Sequence, residues 1–149
     1  MQRWLILIIA LLVGGYLIGN GDVQASRNAV NQALQQNLTQ VRTYADSDPG
    51  NYGYAKFIQR LYYCGGNHCL VQTSPEFRRL HPADRTNVVN QTQALAKMVL
   101  VDQGACTSRQ VRAGLQLTIK IGCQTVGYSQ VNHHYRYHWL CHNKAGKLK

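Results

Sequence analysis

The sequence predicts an α+β fold: an N-terminal export segment, then two to four helices packed on a small C-terminal antiparallel β-sheet, disulfide-bonded. Three observations predict it. Apolar residues recur at helical spacing through the front and middle of the chain, they alternate with polar residues near its end, and five cysteines follow an apolar leader.

The leader comes first. Arg3 precedes an apolar run over residues 4–18, and Val23-Gln24-Ala25 places small residues at −3 and −1 of a cleavage site before Ser26. The run is interrupted by Gly14-Gly15 and is short beside the ~20 apolar residues that span a bilayer. Residues 1–25 are therefore read as a signal peptide or, alternatively, as an uncleaved signal anchor with Arg3 on the cytoplasmic side. Either reading sends residues 26–149, a single domain, to the periplasm or the cell exterior, in the second case held at the inner membrane by residues 4–18.

Helices follow. Ser26 can cap a helix over residues 27–45, because Val30, Leu34, Leu38, Val41 and Ala45 share one face and Asn and Gln fill the other. Asp46-Ser47-Asp48-Pro49-Gly50-Asn51 ends it. A second, shorter helix is expected with Phe57, Ile58, Leu61 and Tyr62 as its buried side, stopped by Gly65-Gly66. Ser74-Pro75-Glu76 opens a short helix that His81-Pro82 breaks. Asp84 is expected to cap the best helix, whose stripe is Val88, Val89, Thr92, Leu95, Ala96, Val99 and Leu100, with Gly104 at its end.

After Gly114 the period changes. Leu115, Leu117, Ile119 and Ile121 alternate with polar residues, as do Tyr135, Tyr137 and Trp139 with His134, Arg136 and His138, so two strands are expected. If they pair through a turn near Asn132, Cys123 faces Cys141, and a second disulfide is expected within Cys64-Gly-Gly-Asn-His-Cys69. That loop would display His68 on a rigid protrusion. Cys106 is left over, buried or bridging a second chain.

Composition narrows the chemistry. The chain has 16 Lys and Arg against 6 Asp and Glu, a formal net charge of +10, and removing residues 1–25 takes one of each sign. So few scattered carboxylates are a poor supply for glycoside hydrolysis or a calcium site. The positive excess favours an anionic polymer or a membrane surface as partner, with His68, Arg78, Arg79, Arg136, Lys144 and Lys147 as candidate binding residues. A protein partner docking on helix 27–45 or on the cysteine loop is the other reading of the surface.

Four of six histidines lie in residues 133–142. On a helix they would offer neighbouring metal ligands, but on a strand i and i+4 stand about 13 Å apart, beyond one ion; the Tyr and Trp alternation favours the strand. Neither metal nor small-molecule cofactor is expected. The expected function is a non-catalytic binding or envelope-assembly factor, cationic and exported. The alternative is a small secreted hydrolase, either ribonuclease-like, with His68 and His138 exchanging protons, or thiol-dependent, with Cys64 or Cys69 beside His133 or His134.

Overall fold

The computed structural model describes residues 22–130 and 132–140. The leader up to residue 21, Cys141, Lys144 and Lys147 lie outside the described residues. In chain order come α1 (Asp22–Tyr44), α2 (Pro49–Tyr52), a 3-10 turn (Gly53–Phe57), β1 (Ile58–Gly65), β2 (His68–Thr73), a second 3-10 turn (Pro75–Arg79), α3 (Pro82–Asp102), α4 (Ser108–Arg112), β3 (Gln116–Ile121), β4 (Gln124–Gln130) and β5 (His133–Trp139). The fold is α+β. Its strands form a five-stranded sheet in the order β1-β2-β3-β4-β5. Neighbours are antiparallel except β2 and β3, which are parallel and joined by the crossover that contains α3 and α4.

Both long helices bury the stripes their sequences predict. Val30, Leu34, Leu38 and Ala45 of the first segment are buried, as are Val88, Val89, Thr92, Leu95, Ala96, Val99 and Leu100 of α3. They close over Leu61, Cys69, Val71, Leu117 and Ile119, which point from the strands into the same core. The apolar side of α1 is therefore filled by the domain's own interior. α3 begins earlier than expected, with Pro82 in its first turn and Asp84 inside it, because proline's missing N–H costs nothing where no intrahelical acceptor exists.

The Asn and Gln side of α1 is also occupied. Asn31 accepts from Tyr63 N at 2.6 Å and donates to Tyr63 O at 3.3 Å, and Gln35 donates to Leu61 O at 2.6 Å. Arg42 donates to Gln59 O at 2.7 Å and also to Ile58 O. One helix face thus satisfies the unpaired backbone of edge strand β1, which would otherwise be open to pairing with another chain. The guanidinium of Arg42 is partly desolvated there, which lowers its pKa.

A buried polar residue ties the layers together. Gln93, on α3, accepts from Leu115 N at 2.7 Å and donates to Tyr137 Oη at 2.8 Å and His134 O at 3.1 Å. The Tyr137 hydroxyl in turn donates to Asn90 Oδ1 at 2.8 Å. The network pairs the buried Gln93 amide and the Tyr137 hydroxyl and fixes β5 against α3.

Four sequence expectations are corrected. The predicted helix at Phe57, Ile58, Leu61 and Tyr62 is the 3-10 turn followed by β1. A bulge at Gln59, between Ile58↔Thr73 and Arg60↔Gln72, turns Ile58 and Leu61 to the same buried face although they are three apart. The sheet is mixed and not confined to the C-terminus, since β1 and β2 supply two of its strands.

No disulfide forms among the described residues, and Cys64, Cys69, Cys106 and Cys123 are free. Cys64 is the extra residue of a second bulge, between Tyr63↔Cys69 and Gly65↔His68, and is exposed while Cys69 is buried. The bulge takes Cys64 out of register with Cys69, and no bond joins them. The expected pairing of β3 with β5 does not occur, because β4 stands between them; Cys123 is exposed in the tight turn that joins Ile121 to Gln124, and its expected partner Cys141 lies outside the described residues.

Candidate functional site: the open face of the sheet

In every strand, alternate residues point away from the helices. On β2 and β3 these are His68, Leu70, Gln72, Gln116, Thr118 and Lys120, each next to a residue of the core face. The strand registers then line up one row across the whole sheet. Tyr62 pairs with Leu70, Leu70 with Thr118, Thr118 with Tyr128, and Tyr128 with His138. Arg60, Gln72 and Lys120 form the neighbouring row, and His68 pairs with Gln116 on the other side. Residues directly paired across strands project from one face, so these side chains share a surface.

Several members are held in place. Arg60 donates to Tyr62 Oη at 3.0 Å, and His68 Nε2 lies 3.1 Å from Thr118 Oγ1. The Tyr128 and His138 rings sit 5.2 Å apart with 33° between their planes. Tyr128 is 43% exposed, enough to offer a ring face to a ligand. Arg136 is exposed on β5 and, by alternation with buried Tyr137, leaves the strand on the side of His138. Arg60, Lys120 and Arg136 are cations, and none of the five strand sequences contains an Asp or Glu. The carboxylates sit on helices, 3-10 turns and the loops beside them. Asp46, after α1, pairs with Lys56 at 2.6 Å, and the hydrogen bond and charge of that lysine lower its pKa.

The structure divides the residues singled out from sequence. His68 and Arg136 join the open face, but His68 is the half-buried first residue of β2 and not the tip of a disulfide-locked protrusion. Arg78 and Arg79 are at the end of the 3-10 turn Pro75–Arg79, where Arg78 donates to the Gln124 side chain beside the β3–β4 turn. They belong to the end of the sheet. Tyr62, Lys120 and Tyr128 lie on the open face beside Arg60 without having been singled out. Their signal was the hidden alternation of β2, in which Cys69, Val71 and Thr73 are buried and His68, Leu70 and Gln72 are not.

The geometry is poor for the ribonuclease-like pairing of His68 with His138 and for Cys69 as a nucleophile. His68 on β2 and His138 on β5 are separated by two intervening strands, about 14 Å at the usual strand spacing, too far to exchange protons through one bound phosphate. The thiol of Cys69 is pushed up to about 12 by burial, with the nearby Cys64 and Cys106 thiols adding to the shift. It stays protonated at neutral pH and is a weak nucleophile. Cys106 is also raised by burial and donates to Gly66 O at 3.1 Å. Among the described residues no group of three or more His, Cys, Asp or Glu side chains could hold a metal ion, and no described helix is long and apolar enough to cross a membrane. Comparisons with protein-family models, with curated proteins and with solved structures found no match in any of the three.

Proposed function

We propose that this protein is an exported, cationic, non-catalytic binding factor whose open sheet face engages an anionic polymer. The observation that carries the reading is a continuous surface of Arg60, Tyr62, Lys120, Tyr128, Arg136 and His138 on strands without a carboxylate. Guanidinium and ammonium groups neutralise phosphates or sulfates, and exposed tyrosine rings offer stacking surfaces for bases or sugars. The apolar leader over residues 4–18 supports export.

The test is a titration of the full chain with labelled oligodeoxythymidylate, with heparin and with anionic lipid vesicles across a salt series. Polyanion affinity is expected to fall linearly in log–log form. Arg60→Gln with Lys120→Gln should reduce the slope by roughly one for each lost contact. Tyr128→Ala should weaken oligonucleotide binding by about 1–3 kcal/mol if bases stack there, and leave heparin binding nearly unchanged. Binding that is absent for all three probes, or insensitive to salt, would overturn the proposal.

A further inference from the structure

A second feature lies where β3 turns into β4, away from the row of open-face residues. There the 3-10 turn Pro75–Arg79, the first turn of α3 and the end of β5 enclose a cleft of about 360 Å³. Phe77, Ile121, Val126 and Trp139 give it an apolar lining, and Arg78 and Arg85 supply its charge. Phe77 is fully buried, and its ring centroid is 5.8 Å from that of Trp139.

Arg85 is held in position. It donates through Nε to Leu80 O at 2.9 Å and through Nη2 to Arg78 O at 2.6 Å, and its guanidinium carbon lies 5.9 Å from the Trp139 ring centroid. Those bonds use two of five N–H donors. Arg78 donates to the neutral amide of Gln124. Neither arginine meets a carboxylate: Glu76 and Asp84, the acids of the flanking elements, form no salt bridge with them, and the pair found among the described residues is Lys56 with Asp46.

An apolar pocket carrying two guanidinium groups without anionic partners is complementary to a molecule with one negative head and an apolar body. A cation would be repelled, and a neutral hydrocarbon would leave the arginines without an anion. Arginine's planar fork matches the paired oxygens of a carboxylate or phosphate. The volume is near the lower end of the ~300–1,000 Å³ of small-molecule sites, which suits a single chain of medium length. The chain's own segment after Leu140 carries Lys144, Lys147 and Lys149 and no acid, the wrong sign for this cleft.

We propose that the cleft is a binding site for a small amphipathic anion, a carboxylate or phosphate head on an alkyl or acyl chain. This does not depend on the function of the open face.

The chain has two tryptophans, Trp4 and Trp139. In a full-length Trp4→Phe protein, emission from Trp139 would be followed while decanoate, decyl phosphate, decanol and decyltrimethylammonium are added below their micelle-forming concentrations. Expected are a saturable change with at least one anion, at least tenfold tighter than for decanol, and none with the cation; whichever anion binds more tightly identifies the head group. Arg85→Gln should weaken the anion about tenfold and leave decanol unaffected. Because Arg85 also braces two backbone carbonyls, Arg78→Gln serves as the second variant, checked for native folding by thermal melting, and should weaken the anion in the same direction. Equal binding of cation and anion, anion affinity unchanged in a folded Arg78→Gln protein, or no saturable change with either anion would overturn the proposal. Tyr128→Ala should leave the titration unaltered, separating this site from the open face.

Discussion

The two faces of the sheet are made from the same strands, residue by residue in alternation, yet they obey different rules. On the covered face Leu61, Cys69, Val71, Leu117 and Ile119 are buried under α1 and α3, where volume and shape decide what fits. On the open face Arg60, Tyr62, Leu70, Lys120 and Tyr128 lie on the side away from the described helices, and charge and exposed ring area decide what they can do. The comparison teaches that stability and recognition are separated here by a single residue step along each strand.

That separation is sharpest at neighbouring positions of β3. Ile119→Ala should cost about 2–5 kcal/mol in urea unfolding, because a fully buried side chain leaves a cavity. Lys120→Ala, one residue on, should change stability by no more than about 0.5 kcal/mol. Similar losses from both variants would break the distinction between the faces.

The cysteines test it by chemistry. Burial raises Cys69 from an ordinary 9.0 to about 12, so its thiol is neutral in the fold over a range where the unfolded chain ionises. Its contribution is fully present below about pH 9 and is lost as pH rises toward 12, so the urea midpoint should fall across that window. Tyr137, also raised by burial, acts in the same direction at still higher pH. At pH 8, peptide mapping after alkylation should find exposed Cys64 and Cys123 modified in the native protein and Cys69 modified only in denaturant.

A loss smaller than that of Ile119→Ala is expected at the sheet edge, where a helix takes the place of a neighbouring strand. Asn31→Ala leaves both backbone groups of Tyr63 without their side-chain partner and should cost about 1–3 kcal/mol. Asn31→Asp retains the acceptor for Tyr63 N–H and should fall between wild type and alanine in the same unfolding measurement.

The elements that were legible in the sequence are those whose pattern repeats without interruption. The stripes of α1 and α3 repeat over several turns, and β3 and β5 alternate in sequence, although a register shift against β4 leaves Tyr135 exposed. The others were masked by local features with structural causes. The bulge at Gln59 gives β1 a helical spacing, and the one at Cys64 separates that residue from Cys69. In β4, Gly127 interrupts the alternation because a Cβ there would stand 2.6 Å from the Trp139 ring, so the side chain that fills its place comes from the neighbouring strand. Of the site, His68 and Arg136 were picked for their chemistry, but their surface could not be seen while β1, β2 and β4 were missing.

The sequence by itself determined the α+β class, the cationic balance, the shortage of carboxylates, and the buried stripes of the two long helices. Each depends on composition or on a period that neighbouring residues express locally. Tertiary structure alone decided that β2 and β3 run parallel, that α1 seals the edge of β1 with Asn31, Gln35 and Arg42, and that Tyr62, Leu70, Thr118, Tyr128 and His138 fall in one row. Strand order and register join residues far apart in the chain. They are set by which surfaces must be buried together and which backbone groups must be paired, and a local window of sequence contains neither.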